Sequence, residues 1–163
     1  MSSSITSQFT VPQPENYWYV ESVNLNEAMQ QVLHQFQNQK NAKLIVRSEN
    51  LPAIEANKTN VVKVLDNVLN MIATHPPAGS PLFLYIDCEE ENKGKTDPVL
   101  TKGYKRYNIC FHTNVHTNNV WKINHQRTID ECTAILKQYG ASFTVNEIKS
   151  TGCLFRISLL GKM

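Results

Sequence analysis

No stretch of this chain is apolar and uncharged for long enough to cross a membrane, and no basic start followed by an apolar core marks its beginning as a secretory leader. An excess of charge of one sign is also missing. A formal net charge of +2 over 163 residues is too small for the electrostatic footprint of a nucleic-acid binder. The one basic cluster, Lys93, Lys95, Lys102, Lys105 and Arg106, is interleaved with Glu89, Glu90, Glu91 and Asp97, the pattern of a solvated loop. Cysteines are few: Cys88, Cys110, Cys132 and Cys153 are far apart, show no C-x-x-C spacing and lie in apolar runs. That excludes a disulfide scaffold or a sequence-local zinc motif, and the reading is small buried hydrophobes in a reducing compartment. The expectation is a soluble cytoplasmic protein with no nucleic-acid partner and no membrane span.

With 41% hydrophobic and 18% charged residues, the chain has the composition of one globular domain with a real core. Residues 1–15, rich in Ser, Thr, Gln and Pro, read as a flexible lead-in, and residues 16–163 as a single domain. Tyr17 to Val23 is aromatic and β-branched, which predicts a first strand. Asn24, three residues before Glu27, then caps a helix whose buried face is Leu25, Met29, Val32, Leu33 and Phe36. Leu44 to Glu49 predicts a strand and Ile54 to Ala56 a short extended piece. Asn57 caps a second helix whose broad apolar face, Val61, Val62, Val64, Leu65, Val68, Leu69 and Ile72, suits a helix lying flat on a sheet. Pro76, Pro77 and Gly79 stop it.

Strands follow over Pro81 to Cys88 and Tyr104 to His112, joined by the polar loop 89–102. Residues 113–126 read as polar and irregular. A third helix is expected from Arg127 to Tyr139, with Ile129, Cys132, Ile135, Leu136 and Tyr139 on one face and Gly140 as its stop. Ser142 to Glu147 and Cys153 to Leu159 make a closing hairpin. The predicted class is α+β, a two-layer α/β sandwich in which three helices cover one face of a mixed, mostly antiparallel sheet.

In this order of elements the chain resembles the catalytic, ATP-binding domain of sensor histidine kinases, the GHKL or Bergerat-type ATPase fold that gyrase B and MutL share. The likeness rests on Val23-Asn-Leu-Asn-Glu27, similar to the family's V-x-L-N-E, and on Leu51-Pro-Ala-Ile-Glu-Ala-Asn57, similar to L-P-x-V-x-x-D. At the other end, Ile135 to Val145 and Thr151-Gly-Cys-Leu-Phe-Arg-Ile157 resemble the closing helix, H-G-G, strand and G-x-G-T-x-F segment.

Three nucleotide-contacting motifs of that family depart from the pattern here. In N-L-L-x-N-A the first Asn matches Asn67, but Met71 stands at the second Asn, which in the family holds magnesium; a thioether is a poor ligand for a cation that wants oxygen donors. Making Asn70 the ligand instead would turn the helix by about 100° and take its apolar face off the sheet. In place of D-x-G-x-G, which in the family receives adenine, the chain has Thr113-Asn-Val-His-Thr117, so Thr113 replaces the Asp, and Val115 and Thr117 replace glycines. In place of G-x-G-L-G there is no glycine between Gly103 and Gly140. The ATP lid shrinks to the residues between Thr113 and the third helix. Asp66, beside Asn67, sits where the family's general base could be mimicked.

The resemblance therefore implies a vestigial nucleotide pocket at Asp66, Asn67, Met71, Thr113, Val115 and Thr117, with no catalytic residue, no metal and no cofactor. A kinase would also need a phosphoacceptor histidine on a dimerising hairpin; His34 is the helical candidate and reads as a surface residue. His112 and His116 straddle a strand end, so their side chains are not expected to converge on a metal. The leading expectation is a degenerate domain serving as a protein-interaction or regulatory module in bacterial signalling, with a kinase, a response-regulator receiver domain or a second copy as partner. The alternative is a divergent but active domain binding ATP and magnesium, anti-sigma-like or sensor-kinase-like, through Asp66, Asn67 and Thr113. A third reading is a small-molecule sensor whose cleft is lined by Met71, Val115 and aromatic side chains.

Overall fold

The computed structural model describes residues 20–39, 44–74, 81–91, 104–148 and 152–162. Strand β1 (Glu21–Asn24) leads into helix α1 (Leu25–Gln39), followed by β2 (Leu44–Ser48), β3 (Ala53–Ala56) and α2 (Lys58–Ala73). Then come β4 (Leu82–Glu90), β5 (Tyr104–Thr113), α3 (Asn119–Lys137), β6 (Ser142–Ile148) and β7 (Gly152–Lys162). The lead-in 1–15, the start of the first predicted strand, the Pro-Pro stop after α2 and most of the loop 89–102 lie outside the described residues.

Five strands form one sheet in the order β2-β4-β5-β7-β6, and β1 pairs with β3 in a separate antiparallel ribbon. Among the described strands only the β2·β4 pair is parallel, with Leu44 opposite Leu82; β4·β5, β5·β7 and β6·β7 are antiparallel. The register obeys the period of two. Leu82, Leu84 and Ile86 of β4, Ile109 and Phe111 of β5, and Phe155, Ile157 and Leu159 of β7 all enter the core. Val64, Leu65, Val68, Leu69 and Ile72 of α2 meet them, as do Leu25, Met29, Val32 and Phe36 of α1. Each fully buried large side chain of this set stabilises the fold by roughly 1.5–3 kcal/mol. The predicted α+β sandwich, helices on one side of a mixed sheet, is the observed architecture.

Each helix starts on an asparagine. Asn24 Oδ1 accepts from the backbone N–H of Asn26 at 2.9 Å and more distantly from that of Glu27. Asn57 accepts from Asn60 N–H at 3.1 Å, and Asn118 from Trp121 N–H at 2.9 Å. The third cap corrects the sequence reading. Helix α3 begins at Asn119, not near Arg127, because the Asn118 cap and the burial of Trp121 outweigh the polar run that follows. The chain between β5 and α3 is accordingly only residues 114–118. The far end of α3 closes as expected: Gly140 takes φ 66°, and Ala141 N–H donates to Leu136 O at 3.0 Å, a Schellman-type stop.

The second face of the sheet carries Ile45, Arg47, Phe83, Tyr85, Asp87, Cys110 and His112, with Ile45 and Phe83 about half exposed. Among the described residues no helix is long and apolar enough to cross a membrane.

Candidate functional site

The residues that the sequence marks as a nucleotide pocket fall into two sets. Asp66 and Asn67 are half-buried on α2. Asp66 Oδ2 lies 3.4 Å from the Asn70 amide one turn on, and Asn67 hydrogen-bonds the Cys132 thiol of α3. Burial pushes that thiol up to about 11, with the Asn67 contact acting in the opposite direction. Asn67 thus serves as a tie between two helices. Asn70 points to solvent while Met71 is 1% exposed, which is the register in which Met71 occupies the inward position.

Met71 belongs to the second set, with Thr113, Val115 and Thr117, all buried. Hydrogen bonds and ring contacts assemble this set from α2, β5 and its connection, α3 and β7. Val115 N–H donates to Thr113 Oγ1 at 3.1 Å, folding the start of the connection back on itself. Thr117 Oγ1 donates to Cys153 Sγ at 3.4 Å, pinning its other end to β7. Burial raises the Cys153 thiol above its ordinary value, and the Thr117 hydroxyl pulls it partly back. The indole N–H of Trp121 donates to the Met71 carbonyl at 3.3 Å. The Trp121 ring, 2% exposed, meets Phe155 edge-on with centroids 5.7 Å apart and the His125 ring at 4.5 Å.

Gly152 makes this clamp possible. Its φ of 137° is a glycine conformation, and a Cβ there would lie 1.9 Å from the Thr113 carbonyl oxygen. The start of β7 and the end of β5 therefore touch backbone to backbone. At the Met71 position this arrangement offers a buried thioether and an already engaged backbone carbonyl, and no side-chain oxygen donor for magnesium.

Sequence reasoning overlooked Trp121, although the signal was available: Asn118 stands three residues before it, the spacing that correctly marks the Asn24 and Asn57 caps. The sensor reading anticipated aromatic residues beside Met71 and Val115. Trp121 and Phe155 are there, but as packing, since Met71 and Val115 are each 1% exposed. A small apolar crevice is lined elsewhere, by Leu25, Met29, Val61, Leu65, Leu136 and Leu159 among others.

Of the histidines, His34 is exposed on α1 as expected. His112 and His116 do not converge: His112 Nε2 lies 3.1 Å from Asp87 Oδ1 on the open sheet face, and His116 is exposed in the 114–118 connection. The cysteines are all free, with Cys110, Cys132 and Cys153 buried and Cys88 half-buried.

No protein-family model and no curated protein matches the chain. Solved structures do. The ATP binding domain of PrrB from Mycobacterium tuberculosis superposes with a TM-score of 0.64 at 11% identity, over 88% of this chain and 98% of that one. The catalytic domain of histidine kinase ThkA gives 0.59 at 16% identity, over 86% and 96%. Histidine kinase AdeS from Acinetobacter baumannii gives 0.61 at 13% identity over 86% of this chain, which spans 66% of the AdeS structure. Identity this low speaks for architecture alone, and on that ground the chain has the fold of the catalytic, ATP-binding domains of histidine kinases.

Proposed function

We propose that this is a degenerate histidine-kinase-like ATPase domain that has given up ATP and magnesium and works as a protein-interaction or regulatory module in bacterial signal transduction. One observation carries the reading: the position of the family's magnesium-binding Asn is Met71, 1% exposed, with the buried Trp121 indole bonded to its carbonyl. A working site would need oxygen donors and room for phosphates where this chain places packed apolar groups. The glycine-free connection supports the same conclusion, because backbone amides that would cradle phosphate are spent on Thr113 and Asn118. The retained core and the joint change at three separate motifs fit a scaffold kept for its surface.

The partners proposed are those of the kinases that share the fold: a signalling kinase, a response-regulator receiver domain, or a second copy of the chain. A calorimetric titration with Mg-ATP tests the proposal. No saturable heat at millimolar nucleotide is the expected result. Saturable binding in the micromolar range would overturn it in favour of a divergent ATP-binding domain using Asp66, Asn67 and Thr113.

A further inference from the structure

The open face of the sheet, away from α1, α2 and α3, brings together three side chains that the proposed function does not use. Asp87 on β4 is the cross-strand partner of Cys110 on β5, and His112 lies two residues along β5 on the same face. One ligand atom from each, a carboxylate oxygen, Sγ and a ring nitrogen, all fall within 4.8 Å of one another. We propose that Asp87, Cys110 and His112 form a binding site for a zinc-like divalent cation.

The donor chemistry selects the ion. A thiolate, an imidazole and a carboxylate suit zinc, whereas magnesium and calcium require oxygen donors alone. With zinc–ligand bonds of about 2.0–2.3 Å, tetrahedral donors sit roughly 3.3–3.7 Å apart. The His112–Asp87 pair, at 3.1 Å, is already that close, and all three donor atoms lie within 4.8 Å of one another. Two anionic ligands and one neutral ligand would balance the charge of a divalent ion, leaving the fourth position to water.

The position of Cys110 is the second reason. A cysteine on the outward face of a sheet is ordinarily exposed, yet Cys110 is 2% exposed at the base of this cluster. It also contacts the Arg156 guanidinium, its cross-strand neighbour on β7. Strands β4 and β5 are interior to the sheet, which holds the three Cα positions in fixed register.

The test is titration of the purified chain with Co2+, followed by displacement with Zn2+. The expected result is one-to-one binding with tetrahedral d–d bands and a thiolate-to-cobalt charge-transfer band. Cys110→Ser should abolish that band, and Asp87→Asn and His112→Gln should each weaken zinc binding by roughly 10-fold or more. Cys88→Ser should leave it unchanged, since Cys88 packs toward the helix layer. Circular dichroism of each variant confirms folding. His112, with its side chain 42% exposed, supplies a readout even if Cys110→Ser fails to fold. Absence of a charge-transfer band, its survival in Cys110→Ser, or its loss in Cys88→Ser would each overturn the assignment and leave a plain His–carboxylate pair.

Discussion

The Trp121 side chain reaches from the first turn of α3 to donate its indole N–H to the Met71 carbonyl on α2, at 3.3 Å. The bond joins two residues fifty positions apart and satisfies the one polar atom of a ring that is otherwise packed on Phe155.

Truncating that ring should be costly without being productive. Trp121→Ala is expected to lower stability by about 3–5 kcal/mol in urea denaturation. Met71→Asn, which buries an amide among apolar neighbours, should cost about 2–4 kcal/mol. On the proposed function neither variant, nor the pair, should bind Mg-ATP in calorimetry, since the connection 114–118 contains no glycine. Nucleotide binding by the double variant would instead show that this single contact is what keeps ATP out.

Gly152→Ala should be among the most damaging small substitutions in the chain. The φ of 137° strains any L side chain, and the new methyl would collide with the backbone of Thr113 and Asn114. A loss of about 3 kcal/mol or more is expected. Hydrogen exchange should show the added opening at residues 113–117 and the start of β7, while α1 remains protected.

Removing the cap of α3 separates local from tertiary contributions to that helix. Asn118→Ala deletes the bond to Trp121 N–H and should cost about 1 kcal/mol. The helix should still start near Asn119, since the Trp121 ring remains buried; a start shifted toward Arg127, seen in backbone chemical shifts, would mean that the cap alone sets the boundary.

The Cys132 thiol makes stability depend on alkaline pH. Its folded-state value is pushed from 9.0 up to about 11 by burial, so the folded chain holds a proton that the unfolded chain releases. Stability is therefore fully present below pH 9 and declines between about pH 9 and 11, by roughly 3 kcal/mol at most for this group. Cys132→Ala should flatten that arm without abolishing it, because Cys88, Cys110 and Cys153 are raised as well. An unchanged slope in chemical denaturation across this range would refute the assignment.

What the sequence by itself determined is local and periodic: the buried stripes of α1 and α2, the alternation along β4 and β7, the Asn24 and Asn57 caps, and Gly140 as a helix stop. Each depends on residues within a turn or two of one another, so spacing alone reveals them. It also placed Met71 inward and Asn70 outward, since the apolar face of α2 admits only one rotation. The tertiary structure decided the rest. Residues 119–126 look irregular because Lys122, Asn124 and Gln126 face water and the apolar Val120 and Ile123 are exposed beside them, and only Phe155 and the Met71 carbonyl, brought in by the sheet and by α2, make Trp121 a core residue and the segment a helix. Likewise Asp87 is invisible as a neighbour of Cys110 and His112 in the linear chain. It becomes one through the antiparallel register of β4 and β5, a pairing between distant segments that no local pattern encodes.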